Sequence, residues 1–349
     1  MLPEAPVPPA ALRLRIDRAA LADNWRELDR LSGTARAGAA VKAGGYGVGA
    51  RVAVQVLHKA GCRDFFVAHW GEAAELLDLT APGSISVLHG PLTAADAAWA
   101  KATGLRPVIN SLHQARLWLD AGGGTCDLMI DTGINRLGLP FSDLGDPLVA
   151  RLDIDVLHSH LACADEDSPL NAIQLARWQD VQAHVRHRRA SLANSAGIAL
   201  GSAYHGDLTR PGLSLYGGVP RAELAPNIRQ VAFPQAAVMQ IRELNAGESV
   251  GYNATFVATA PMRVAVIALG YADGFLRCWS SCGEMLAGGL SLPVLGRVSM
   301  DMTVIDASAA PALREGDWVE AAYDLPQASN RSGLSQYELL TLLGGRFQR

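Results

Sequence analysis

The chain has 349 residues, 49% of them hydrophobic and 18% charged, with a formal net charge of −4. Such a chain buries a core across about two domains. It is neither a disordered chain nor a carrier of the basic footprint that nucleic acid requires. No apolar run reaches the roughly 18 residues that cross a bilayer, and the opening MLPEAPVPPA lacks the basic and apolar regions of a signal peptide.

Four prolines among the first ten residues predict a loose, extended tail over residues 1–11. Residues 12–235 then alternate short apolar runs with helical patterns. The runs read as strands are 37–42, 64–69, 84–89, 106–110, 126–131, 153–160, 190–192 and the segment entering Arg210. Among the helical patterns, residues 51–61 end at a capping Gly61, and 168–189 finish in HVRHRR, read as a solvated helix end. Eight strands alternating with helices predict a parallel (β/α)8 TIM-like barrel, with an open doubly wound sheet as the alternative. From residue 236 to 349 the pattern changes. QAAVMQIREL, ATFVAT, RVAVIALGYA, LSLPVLGRV and MTVID are β-rich runs between turn residues, with one late helix over 335–344. A mainly β C-terminal domain follows from them. The five cysteines are odd in number and contain no CxxC, so a reducing cytoplasm is expected rather than a disulfide framework. Cys278 and Cys282 stand four apart and read as loop thiols, and no metal is expected there.

In a parallel barrel the C-terminal strand ends form the active face. Lys42 sits at the first such end, ahead of glycines. Inside a pocket its amine would be desolvated, as a Schiff-base lysine requires, though a strand-end lysine can also reach back to water. Tyr46-Gly47-Val48-Gly49 could open a backbone anion site but matches no phosphate fingerprint. Arg136 follows the fifth strand in DTGINRLG, where its planar fork suits a carboxylate or a surface ion pair. His158 and His160 alternate on one strand, a spacing open to core hydrogen bonding or to a metal. Ser195, in NSAG, and Arg210, in RPGLSLYG, follow the seventh and eighth strands, where barrels often hold a phosphate. Tyr271, in GYADG, belongs to the second domain, where a turn tyrosine is ordinarily structural.

Taken together, VKAGGYGVG, DTGINRLG, HLACADE, NSAG, RPGLSLYG, GYADG, GRVSMDM and a late YELL resemble, in family order, the motifs of the fold-type III, PLP-dependent alanine racemases. The resemblance implies pyridoxal 5'-phosphate held covalently by Lys42, which acts as one base, and Tyr271 of a partner subunit as the other. It implies Arg210 at the pyridine nitrogen. Tyr46, Ser195, Tyr337 and the backbone of Gly212 and Leu213 would lie on the phosphate, and Arg136 with the partner's Met300 on the substrate carboxylate. His160 would stand beside the ring and link Arg210 to the tyrosine, and Asp165 would lie near the entry. A homodimer with shared active sites, and a role in supplying D-alanine for peptidoglycan or in alanine catabolism, belong to the same implication.

Several positions depart from the family pattern. Met129 replaces a lysine that becomes carbamylated in many members, so a bound anion or Asn135 is expected to brace Arg136. Ser191 replaces a common histidine, Gly44 and Val48 replace a common Asn/Asp and His, and the chain ends soon after YELLTLLGGRFQR, short of the usual tail. These departures leave open a racemase of broader specificity, for example one accepting serine. A non-catalytic PLP-binding protein and a metal-dependent hydrolase built on His158 and His160 are the readings from other classes.

Overall fold

A computed structural model describes residues 8–349 of the chain; of the expected tail, residues 1–7 lie outside the described residues. The chain divides into two compact units, Arg18–Arg229 and a second in which the segment ending at Asp17 joins Gln230–Arg349. The first strand, β1 (Leu12–Ile16), therefore falls within the 12–235 span that the sequence suggests for the barrel but belongs to the second unit. Its Leu-Arg alternation buries Leu12 and Leu14 and exposes Arg13 and Arg15, and it pairs antiparallel with residues 232–236. One buried face is what an antiparallel edge strand needs. Barrel strands are covered on both faces.

Within Arg18–Arg229 the eight expected strands are all present. The first is interrupted, as β2 (Arg36–Ala37) and β3 (Ala39–Ala40). β4 (Phe65–Val67), β5 (Ile85–Val87), β6 (Arg106–Ile109), β7 (Thr125–Met129), β8 (Asp153–His158) and β9 (Arg189–Ser191) follow β3 in one parallel sheet in that order. β4, β5 and β6 are buried at every residue, which explains their mainly apolar character; Ser86 and Arg106 are the buried polar exceptions. Closure comes from the last strand, β10 (Leu208–Thr209), which pairs parallel with β2. Residues 207–211 accept from the Arg36, Gly38 and Ala40 N–H groups on one side and donate to Ala190 and Ala193 on the other. A closed barrel results, and the open-sheet alternative fails because this last strand bonds the first.

The helix read over 51–61 is observed as Ala50–Ala60, ended by Gly61 at φ 124°. The helix read over 168–189 is shorter, Pro169–His184, and Arg189 belongs to β9. The arginine-dense HVRHRR is thus a turn and a strand start rather than a helix end. Arg189 turns to Asp64 and Asp155 at 2.9 and 2.7 Å.

The second unit is mainly β, as expected. β11 (Ala232–Leu244), β12 (Ser249–Val250), β13 (Phe256–Val257), β14 (Met262–Ile267), β15 (Glu284–Ala287), β16 (Leu290–Leu295), β17 (Thr303–Asp306) and β18 (Trp318–Ala321) follow in sequence. Six of them pair around a closed antiparallel circuit, β11-β14-β17-β16-β15-β18, with β18 returning to β11 and β1 added at β11. β11 can serve three partners because its register shifts between Val238 and Gln240. Two late helices are present instead of one. Leu325–Ser332 is capped by Asp324 and Gly333, and Gln336–Thr341 by Ser335 in a capping box.

Candidate active site

The C-terminal ends of the barrel strands surround a cavity of about 540 Å³ whose lining includes Lys42, Tyr46, Met129, Arg136, His160 and Arg210. Phe66, Ala68, Leu88 and Leu92 contribute its apolar wall, and no aspartate or glutamate lines it. Five residues separated by up to 168 positions in sequence (Lys42, Tyr46, Arg136, His160 and Arg210) thus meet in one place, as their common position after barrel strands requires.

Lys42 enters the cavity from an unusual backbone. Ala43, Gly44, Gly45 and Tyr46 all have φ between 52° and 64°, one turn of left-handed helix closed by the Gly45 N–H on the Val41 carbonyl at 2.8 Å. Two of the four are glycines, which adopt this conformation freely, whereas Ala43 and Tyr46 each cost roughly 1–2 kcal/mol. Strain of this kind persists where neighbours over-determine the geometry. Burial pushes the Lys42 amine below its ordinary pKa; Arg136 and Arg210 lower it further, and Glu72 opposes them.

Arg210 is buried. It donates to the carbonyls of Ser191 and Ser159 at 2.7 and 2.5 Å and to the Ser191 hydroxyl at 2.5 Å. Burial lowers its pKa to about 10, with Asp127 opposing, so it remains a cation at neutral pH. No hydrogen bond joins Arg210 to His160: the two terminal guanidinium nitrogens donate to those neutral acceptors, and Nε to none of them. His160 lines the cavity beside it and is pushed down to about 3, first by burial and then by Arg210, Arg136 and Lys42. It is a neutral imidazole. His158 ends its strand and hydrogen-bonds Asp127 at 3.2 Å in the barrel interior. The metal reading of the pair finds no ligand set, since no group of three or more metal-binding side chains occurs among the described residues.

Arg136 stands on a loop closed on itself. Asp131 accepts from the Gly133 and Asn135 N–H groups at 2.8 and 3.2 Å, and Leu139 hydrogen-bonds back to Asp131 and Met129. Of the two expected braces for the guanidinium, a bound anion or Asn135, the second is not made: the Asn135 backbone is tied to Asp131 with φ 54°, and no side chain among the described residues bonds Arg136. An arginine at a cavity wall without a protein acceptor suits an anionic ligand.

A second feature is a small polar cup. The Ser195 hydroxyl accepts from the Gly212 and Ser214 N–H groups at 3.0 and 3.2 Å. Leu213 opens a short 3-10 turn, so its N–H has no acceptor within that turn. The buried Ser214 hydroxyl has no hydrogen-bond partner. Tyr46, stacked on Tyr216 at 4.9 Å, brings its hydroxyl to 2.2 Å from where a Cβ on Gly212 would lie. Glycine is required at 212 by space alone. Hydroxyls and backbone N–H groups converging this way suit a phosphate-sized anion.

Tyr271, Met300 and Tyr337 belong to the second unit. There the GYADG and GRVSMDM loops are bonded together, the Tyr271 N–H to Ser299 at 3.0 Å and the Ala272 N–H to Met300 at 2.9 Å. A Cβ at Gly270 would lie 2.3 Å from the Met300 carbonyl oxygen. The Arg277 guanidinium lies over the Tyr271 ring at 5.4 Å, and Asp273, buried beneath the loop, accepts from Gly270 and pairs with Arg346. Met300 and Tyr337 are exposed, 54% and 41%.

Sequence reasoning missed Glu72, Ser214, Tyr216 and Arg277. Only Arg277, six residues past Tyr271, carried a usable sign, a cation beside a tyrosine. The others act through backbone groups or through packing, which leave no spacing signature.

Residues 16–220 match the family model described as alanine racemase, N-terminal domain, and residues 231–349 match that of the C-terminal domain. Among curated relatives, a biosynthetic alanine racemase of Agrobacterium fabrum is 40% identical over 97% of this chain and 93% of its own length. A catabolic alanine racemase of the same organism is also 40% identical, over 97% and 92%. Among solved structures, the alanine racemase of Bartonella henselae with covalently bound pyridoxal phosphate has a TM-score of 0.90 at 33% identity, covering 98% of this chain and 99% of that one. The biosynthetic enzyme of Pseudomonas aeruginosa has a TM-score of 0.88 at 36% identity, covering 97% and 98%.

Proposed function

The chain belongs to the alanine racemase family, and from that premise we propose that it interconverts L-alanine and D-alanine with pyridoxal 5'-phosphate held by Lys42. The observation that carries this reading is the cavity itself, where Lys42, Arg136 and Arg210 converge with no carboxylate on the wall. The residues fit the group: the polar cup with its unpartnered Ser214 hydroxyl suits the phosphate, and the desolvated amine suits the carbonyl carbon.

When bound, the cofactor supplies an electron sink for the negative charge left on Cα as its proton departs. The chain's own residues do the rest. Tyr46, Ser195, Tyr337 and the backbone of Gly212 and Leu213 hold the phosphate. Arg210, a cation at neutral pH and only a donor, would hold the ring nitrogen and keep its own proton there, which would leave the cofactor a weaker electron sink and limit side reactions. His160, neutral beside Arg210, offers the ring a face without adding charge. Arg136 grips the substrate carboxylate together with the Met300 N–H, fixing Cα between two bases. Lys42 moves the proton on one face of Cα and Tyr271 moves it on the other, so configuration inverts without the substrate turning over.

Tyr271 and Met300 act from the second subunit of a homodimer, so each site is shared between chains. No helix among the described residues is long and apolar enough to cross a membrane. The five free cysteines support a reducing cytoplasm. There the product D-alanine would feed peptidoglycan synthesis, or the reaction would serve alanine catabolism; the similar relatives include both kinds. No lining residue and none of these relatives favours the broader serine reading. The test is chiral chromatography of L-alanine and, separately, L-serine incubated with purified enzyme. D-alanine should form at a rate that falls roughly 10²–10⁴-fold in Tyr271→Phe. Unchanged turnover in that variant would remove tyrosine from the reaction.

A further inference from the structure

Lys42 is carried by a left-handed turn that two of its residues adopt at a cost, so something outside the turn must hold it. The Glu72 carboxylate does. Its Oε1 accepts from the Ala43 N–H at 2.6 Å and its Oε2 from the Ala68 N–H at 2.7 Å. Ala43 follows Lys42 directly, and Ala68 ends the neighbouring strand run after Val67. One carboxylate therefore ties together the ends of two adjacent barrel strands at the point where the amine leaves the backbone. Glu72 itself is fixed in the first turn of the short helix Trp70–Ala74, with a side chain 15% exposed.

We propose that Glu72 is a positioning residue for Lys42: it locks the left-handed turn that aims the amine into the cavity and stands as the counter-charge to a cationic wall. Charge-assisted bonds of this length are about twice as strong as neutral ones, enough to offset the strain of Ala43 and Tyr46. The electrostatic part follows from the inventory around the amine. Arg136 and Arg210 face it from the fifth and eighth strand ends, and both oppose its protonation. His160 is neutral, His89 lies on the cavity wall, and His69 stands 4.0 Å from Glu72. Glu72 is the one carboxylate that acts on Lys42, and it favours the ammonium form. A glutamine of the same shape cannot replace it. Its amide presents one oxygen and one NH₂, so one of the two backbone donors would face another donor, and the charge would be gone.

The proposal deepens the reading of Lys42 given above, yet its test stands apart from catalysis. Lys42, Lys59 and Lys101 are the only lysines in the sequence. Reductive ¹³C-methylation of the full chain stripped of cofactor therefore gives three lysine signals and that of the N-terminus, each titratable by NMR. The Lys42 signal, assigned by its loss in Lys42→Arg, should titrate at lower pH in Glu72→Gln than in the wild-type chain. A circular-dichroism spectrum and a cooperative melt like those of the wild type show the fold intact. Glu72→Asp, which withdraws the charge by one methylene, should shift Lys42 in the same direction by less, and serves alone should the glutamine variant not fold. In the cofactor-loaded enzyme, kcat should fall at least tenfold in Glu72→Gln with a smaller change in KM, since the amine is misaimed while the carboxylate grip on substrate remains. Coincident Lys42 titrations in wild type and a folded Glu72 variant would overturn the proposal. Absence of racemisation in the wild type, with the shift present, would instead count against the functional reading alone.

Discussion

The two ends of the barrel interior treat their charges in opposite ways. At the end where the strands begin, the buried Arg106 and the half-buried Arg189 both have acidic partners. Arg106 reaches Asp64 at 3.2 Å, Asp127 at 3.4 Å and Asp155, while Arg189 bonds Asp64 and Asp155. Ser86, the Val156 N–H and His158 complete the surroundings of Asp127. At the end where the strands finish, Arg210 rests on carbonyls, Arg136 has no acceptor among the described residues, and Glu72, the acidic residue acting on Lys42, lies off the cavity wall. Self-satisfied charge makes a scaffold. Charge without counter-ions makes a receptor for anions, and a phosphate and a carboxylate are the two that the proposed reaction brings.

Breaking the scaffold end should give the largest effect on stability and the smallest on chemistry. Arg106→Leu leaves Asp64 and Asp155 to Arg189 alone and the buried Asp127 without its arginine, and should cost about 3–5 kcal/mol in urea unfolding, while kcat of the remaining folded enzyme stays within about twofold. Acid should act at the same place. Burial alone would raise the Asp127 pKa, but Arg106, His158 and Ser86 overcome it and hold the carboxyl at about 2. Its unfolded value is about 3.9, so its contribution is complete above that pH and lost as pH falls through about 2. A wild-type chain whose unfolding free energy is flat from pH 4 to pH 2 would contradict this.

At the receptor end the effects should be smaller and fall on binding. Gly212→Ala drives a methyl into the Tyr46 hydroxyl. The Tyr46 hydroxyl must then give way, and a cost of about 1–3 kcal/mol should appear as a roughly 5–150-fold loss of pyridoxal 5'-phosphate affinity, measured by equilibrium dialysis. Equal affinity in both would mean that the cup does not take the phosphate. Least of all should Asn135→Gly matter. Its φ of 54° suits glycine and it leaves Arg136 untouched, so KM for alanine should change by less than about twofold; a tenfold rise would restore Asn135 as the brace.

The barrel was legible because its strands are covered on both faces and so read as mainly apolar runs. The same rule hid the scaffold network, since Arg106 and Asp127 sit inside runs that otherwise look apolar. β1 was assigned to the wrong unit because adjacency in sequence stands in for adjacency in space, and its Leu-Arg alternation was the sign overlooked. β15 (EMLA) and β18 (WVEA) each carry a glutamate within four residues, which interrupts the apolar run that would have marked them. The cavity residues Lys42, Arg136, His160 and Arg210 were legible because each follows a strand end and carries distinctive chemistry. Glu72 was not, because a carboxylate that binds backbone N–H groups looks in sequence like any acidic residue opening a helix.

The central claim is that the amine at position 42 holds the cofactor, and borohydride reduction of the cofactor-loaded enzyme followed by peptide mapping tests it directly. The account predicts a single reduced pyridoxyl adduct, on the peptide containing Lys42. An adduct on Lys59 or Lys101, or none on any lysine, would contradict it.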